Sequence, residues 1–409
     1  MTGRLHRRIL SKGGRMTNSP PSKVKLEQNE AARVLASGID SLVLAVSVSW
    51  TDMSTFNKLA ALKTKAKLEK EDEPAELIID DESSPWRFVV KPHGAGGFEW
   101  LLTSQELGMK IGNWLQPQQR PSVMIDIRSE TLWTHGPEKA VERVLALIEG
   151  LGGEVVEVKV SRVDLCVDTL IRSDDWSKDL IDSFVTRARN IQTHNQSREL
   201  SGFSIGVGKM RARLYDKPME IKAKSKKIWM YDIWGIETVD DEHRVIRTEF
   251  QLRREVLLQL GMGEWQTVLR FHNMIWGYCT MMWLKLVDDA SLHHTQQHLL
   301  PWWEVVQSGF HGSQEAQPLV RDRSVQLDKR QLAAQAIGSL SSLLSIDLSP
   351  MELEIGDNLD RETHLLLALR EALKNVNYDD DEFTRRMRRK QAKHHRSGQD
   401  FIESTSQED

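Results

Sequence analysis

The chain has 409 residues and a formal net charge of −4, so it has room for two or three folding units and its overall charge announces no polyanionic partner. Its 40% hydrophobic content reads as globular, and with Cys166 and Cys279 as the only cysteines it holds neither a disulfide framework nor a cysteine-type zinc site. The basic N-terminus lacks signal-peptide character, and the longest apolar runs, such as Leu42–Val46, are too short to span a bilayer; the expectation is a soluble, cytoplasmic protein without a membrane partner.

In chain order, residues 1–35 are polar and basic and are expected to form a disordered arm. Alternation predicts a strand over 39–50, and helical spacing follows over 58–76 before dissolving into charge. Further strands are predicted over 87–92, 97–103 and 109–114, the first two joined by a turn at the glycines of HGAGGFEW, and another over 121–129. An amphipathic helix is predicted over 137–153, a strand over 156–168, a helix over 176–191, a hairpin over 201–217, and a strand running into a helix over 243–255. Residues 263–286, rich in Trp and Met at helical spacing, read as core packing. Beyond them the expectation is a helical region over 313–376 and a disordered charged tail over 377–409, leaving 36–312 as the main domain. The order of elements predicts an α+β fold, a central, mostly antiparallel sheet with helices on one face.

Side chains alternate across a strand, so each central strand divides into two faces. In SRVDLCVD, Val163, Leu165 and Val167 oppose Arg162, Asp164, Cys166 and Asp168. In RARLYDK the series Arg211, Arg213, Tyr215, Lys217 shares a face; in RTEFQLR, Arg247, Glu249, Gln251 and Arg253 oppose Thr248, Phe250 and Leu252; in VMIDIRS, Asp126 and Arg128 oppose Ile125 and Ile127. As neighbours in one sheet, these strands would gather carboxylates, arginines and a tyrosine into a site. Asp164, Asp168 and Glu249 are hard oxygen ligands suited to Mg²⁺ or Mn²⁺. Tyr215 lies between Arg213 and Lys217, which should lower its phenol pKa and attract a phosphodiester. The combination points to phosphoryl transfer to tyrosine.

These strings, IDSLVLAVSVSW, PSVMIDIRSETLW, VSRVDLCVD, ARLYDKPMEI and RTEFQLRRE, give the chain a resemblance over about residues 36–310 to the replication initiation factor family of plasmids, phages and integrative conjugative elements, the Rep_trans group. The resemblance implies that Tyr215 is a nucleophile forming a 5′-phosphotyrosine, that Asp164 and Glu249 hold Mg²⁺ or Mn²⁺ with Asp168 as an optional third ligand, and that Arg213, Lys217 and Arg247 face phosphate. It also implies a layout similar to HUH endonucleases without their His pair, since His293–His294 and His394–His395 are adjacent rather than spaced. The implied activity is DNA nicking and joining at a replication origin, or at a transfer origin if the protein is a conjugative relaxase. A host helicase and a second copy of the chain would be its partners.

DNA contacts are sought where cations cluster: Lys209, Arg211, Arg213, Lys217, Lys222, Lys224, Lys226 and Lys227 fall within 19 positions, and Arg162, Arg247 and Arg253 join them on the charged face. Trp229 and Trp234 follow closely as candidate base-stacking residues. Two other readings remain: a non-catalytic DNA-binding protein, and a metal-dependent phosphodiesterase in which Tyr215 is structural.

Overall fold

A computed structural model of the chain describes residues 26–27, 30–71, 73–77, 86–310, 319, 321, 336–342 and eight positions between 363 and 388. The strands are β1 (Ala32–Trp50), β2 (Glu73–Leu77), β3 (Trp86–Val90), β4 (Trp100–Thr103), β5 (Leu107–Ile111), β6 (Val123–Ile127), β7 (Gly153–Arg172), β8 (Phe184–Thr186), β9 (Ile191–Gln196), β10 (Glu199–Ile205), β11 (Met210–Asp216), β12 (His243–Arg253) and β13 (Leu284–Leu286). Eleven of them form one sheet in the order β2-β3-β4-β5-β6-β1-β7-β12-β11-β10-β9, each neighbouring pair antiparallel, and β8 pairs with β13 in a second small sheet.

The protein is thus α+β with a large antiparallel sheet. Its long central strands β1 and β7 arise from sustained alternation, and Leu42, Leu44, Val46, Val163, Leu165 and Val167 are fully buried on one face. Against that face pack α3 (Pro137–Gly150), α6 (Arg254–Gln259), α7 (Trp265–Arg270) and α9 (Pro301–Gln307). In α3, proline at the first turn presets the helix, and Ala140, Val141, Val144, Leu147 and Ile148 form its buried stripe. The Trp-rich stretch is core, as its spacing suggested: Trp276, Tyr278, Cys279 and Trp283 are buried, and the Trp276 indole donates to Val306 O at 2.9 Å.

Helices do not keep to one face. Leu170 and Val245 lie on the charged side of β7 and β12, yet they are buried with Ile221, Met230, Trp234 and Ile236. These come from the segment holding α4 (Lys217–Glu220), a π-helical turn (Ile221–Ser225) and α5 (Trp229–Trp234). The charged face turns apolar at that end, so it needs a cover.

Residues 176–191 do not form the expected helix. Trp176, Leu180 and Phe184 are buried at a spacing of four, but the segment is a 3₁₀ turn (Lys178–Ser183) followed by β8. The Thr186 hydroxyl donates to Trp283 O and accepts from Ala188 N, which fixes the extended backbone beside β13. Edge strand β9, in the weakly patterned IQTHNQ, was not anticipated. The glycine turn was: Gly96 and Gly97 have φ of +62° and +80° between bridged Ala95 and Phe98.

Of the predicted arm, residues 1–25 lie outside the described residues, while Leu26 is buried, its N–H donating to His243 Nε2, and β1 opens at Ala32. The chain divides into two units, residues 1–321 and 322–409, compared with the expected boundary at 312/313. In the second unit, residues 336–342 and isolated positions such as Leu366 and Arg388 are helical; the rest of the expected helical region and charged tail lies outside the described residues. Among the described residues no helix is long and apolar enough to cross a membrane.

Candidate active site

Strand register turns the charged face into a grid. Arg253 lies opposite Arg162; Gln251 lies between Asp164 and Arg211; Glu249 between Cys166 and Arg213; Arg247 between Asp168 and Tyr215. Strand β10 extends two of these rows, placing Ser204 beside Arg213 and Gly202 beside Tyr215. A Cβ on Gly202 would come within 2.5 Å of Leu214 O and 2.8 Å of Tyr215 Cβ, so only glycine lets β10 approach the tyrosine this closely. Strand β6 is separated from β7 by β1; Asp126 shares the face but is exposed there, and Arg128 is exposed just before α2 (Ser129–His135).

Tyr215 donates its hydroxyl hydrogen bond to Glu249 Oε2 at 3.0 Å. The other oxygen of Glu249 accepts from Arg213 Nη1 at 2.9 Å, and Arg213 Nη2 donates to Gln251 Oε1 at 3.0 Å. Glu249 is buried while the Arg213 side chain retains 34% exposure, so one guanidinium links the interior carboxylate to solvent. The expected lowering of the Tyr215 pKa is reversed: burial and the charge of Glu249 push the phenol well above its usual value, against an opposing pull from Arg247. Arg213 turns to Glu249, and Lys217 begins α4 with its ammonium on Glu220 Oε2 at 2.7 Å and 5.4 Å from the Tyr215 ring. Burial and neighbouring Arg247 lower the Lys217 pKa.

Arg247 cannot touch DNA. It is fully buried, with Nε and Nη2 on Asp168 at 2.6 and 2.7 Å and Nη1 on Asp40 Oδ1 at 2.7 Å. Trp234 Nε1 donates to Asp168 Oδ2 at 2.9 Å, which makes Trp234 part of the buried network rather than a base-stacking platform; Trp229 packs partly buried against the adjacent apolar cluster. Asp40, Ser129 and Trp234 are members of this network that strand alternation did not reveal. Asp40 escaped because β1 is irregular between Ile39 and Ser41, where the alternation resets. Burial alone would raise the Asp40 carboxyl, but Arg247, Lys227 and Lys217 hold it far below the usual carboxylate range, and Ser129 Oγ donates to it at 2.8 Å.

The predicted metal triad does not converge. Asp164 and Asp168 are four residues apart on one strand, about 13 Å, and Asp168 is clamped by Arg247. Asp164 and Glu249 are diagonal neighbours on adjacent strands, but Arg162 holds both oxygens of the first and Arg213 one oxygen of the second. Among the described residues no three His, Cys, Asp or Glu side chains come together as a metal group. Each of the three carboxylates is instead paired with an arginine, Asp164 with Arg162, Glu249 with Arg213 and Asp168 with Arg247. Burial and the nearby charge of Glu249 raise the Asp164 pKa to about 6 despite the Arg162 contact.

The remaining predicted contacts separate by location. Lys209 and Arg253 are exposed and Arg211 and Arg162 half-buried at the open end of the face, whereas Lys222 and Lys224 are exposed on the π-helical turn beyond the other end of β11. Of the other tyrosines, Tyr231 packs edge-on against Trp234, Tyr278 is core, and Tyr378 lies outside the described residues. No protein-family profile and no curated protein matches the chain, so residue chemistry and geometry carry the functional argument.

Proposed function

We propose that the protein cuts and rejoins a DNA strand with Tyr215 as nucleophile and Glu249 as general base. The observation that carries this reading is the 3.0 Å hydrogen bond from the Tyr215 hydroxyl to a buried carboxylate whose second oxygen is held by the half-exposed Arg213. A phenol with a raised pKa is rarely ionised at neutral pH, so a base within hydrogen-bond reach must take its proton as attack proceeds. Tyr215 Oη forms a bond to phosphorus, its proton passes to Glu249, and the bond to the 3′ oxygen breaks, that oxygen taking a proton from water. Arg213 is the guanidinium placed to meet the charge that develops on the phosphate. The phosphotyrosine ester conserves the bond, and attack by a 3′-hydroxyl reverses the step, which suits the start of rolling-circle replication or of conjugative transfer.

The test is adduct formation on single-stranded oligonucleotides from the replicon's own intergenic regions, with Mg²⁺, with Mn²⁺ and with chelator. We expect an adduct mapped to Tyr215 and absent from Tyr215→Phe, and a Glu249→Gln rate lower by about 10²–10⁴-fold. Cleavage that survives Tyr215→Phe would transfer the chemistry to activated water, and DNA binding without cleavage under every condition would leave a binding protein.

A further inference from the structure

The open end of the charged face carries a ladder of cations leading away from Tyr215. On β11 the same-face positions are Arg213 and Arg211, and just past the strand comes Lys209, whose carbonyl accepts from Arg253 N at 2.9 Å. Arg253 in turn lies opposite Arg162, so the last rung is a row of three cations, Arg162, Arg253 and Lys209. Alternate residues of a strand are about 6.6 Å apart, which places the rungs roughly 7, 13 and 20 Å from Tyr215 along the strand.

Arg213 and Arg162 are engaged by Glu249 and Asp164. Among the described residues the side chains of Arg211, Arg253 and Lys209 have no hydrogen-bond or salt-bridge partner. Fixed by register at one sheet end, these cations repel one another, and Asp164, already paired with Arg162, offsets only part of their charge, so a further anion is favoured among them. A repeating polyanion matches a repeating ladder better than a single ion does. The step of the ladder is about twice the roughly 3.4 Å rise per nucleotide of a duplex strand, which suits a strand drawn out straight. A duplex backbone would curl away from the row. Along this path Tyr215 is the only aromatic side chain that β7, β11 and β12 present, so bases find no stacking platform and the grip is on phosphate.

We propose that DNA reaches Tyr215 as an extended single strand laid along β11 toward the β10–β11 turn, with successive phosphates on Arg213, on Arg211 and on the Arg162–Arg253–Lys209 row. The direction of this path rests on Tyr215 being the nucleophile; the phosphate subsites do not. The lysines at the opposite end of β11, Lys222 and Lys224, lie off the path.

The test is equilibrium binding by the full chain of a labelled oligothymidylate of about twenty nucleotides and of a duplex of equal length, in chelator and across a salt series. Single strand should bind more tightly than duplex. Arg211→Ala and Arg253→Ala should each weaken binding about fivefold at about 0.1 M salt and lower the log–log salt slope by about 0.7, whereas Lys222→Ala and Lys224→Ala leave the slope unchanged. Equal or tighter duplex binding, or a slope that responds to Lys222 and Lys224 but not to Arg211 and Arg253, would overturn the proposal. Binding is read without cleavage, so ladder-dependent binding by a chain that forms no phosphotyrosine upholds the subsites and rejects only the nucleophile, while an adduct formed equally fast by the ladder variants rejects the subsites alone.

Discussion

Arg247 and Asp168 have no exposed surface, and their contact is a two-point pair of guanidinium and carboxylate. Removing one partner from such a pair leaves the other charge buried and uncompensated. Asp168→Asn should therefore cost about 3–5 kcal/mol, read as a fall in the urea midpoint at unchanged slope. Asp40→Asn should cost less, because Asp40 keeps 15% exposure and serves as the second anchor of Arg247. The two acidic residues at positions 164 and 168 thus have different tasks although they share one strand face. Asp168 fixes the arginine beside Tyr215, while Asp164 stands one row from the Glu249 that takes the tyrosine's hydrogen bond. Alternation placed both on that face; it did not show which arginine each would meet, since Asp164 binds Arg162 on its own strand and Asp168 binds Arg247 on the next.

At the scale of elements, the β10–β11 hairpin positions Tyr215. Gly202 faces Tyr215 so closely that a methyl group there must displace backbone or the tyrosine itself. Gly202→Ala should cost about 1–3 kcal/mol and slow adduct formation more than a substitution at the turn residue Val207, which is exposed; equal rates in wild type and Gly202→Ala would remove the hairpin from the mechanism. The failed helix at 176–191 has the same origin as the unexpected edge strand. Phe184, Val185 and Thr186 gain a partner in β13, and Ile191–Gln196 gains one in β10, from segments far along the chain or across a turn. Local spacing favoured helix in the first case and little in the second, and pairing decided both.

For the whole molecule, the Asp164 carboxyl couples stability to pH. Its pKa rises from 3.8 unfolded to about 6 folded. Between those values the folded chain keeps a proton that the unfolded chain has released, so stability falls as pH rises through the window, by up to about 3 kcal/mol. Asp40 shifts the other way, and its stabilisation is lost only as pH falls below about 3.8, so it is constant across this window. Asp164→Asn should thus be more stable than wild type at pH 7, with the advantage shrinking toward pH 4 in urea unfolding at each pH; an advantage independent of pH would assign the effect to something other than this proton. The sequence by itself determined the α+β class, most strands, the core stripe of α3, the aromatic packing over 263–286 and the charged face that holds Tyr215, Asp164, Asp168 and Glu249. Period and residue type are local properties, and these features depend on nothing else. Only the tertiary structure decided that helices cover both faces, that Asp168 serves Arg247, that Asp40 joins the network across an irregular strand, and that the phenol is raised rather than lowered in pKa. Those depend on which strands lie side by side, where a bulge shifts the alternation, and how much water is left around each charge.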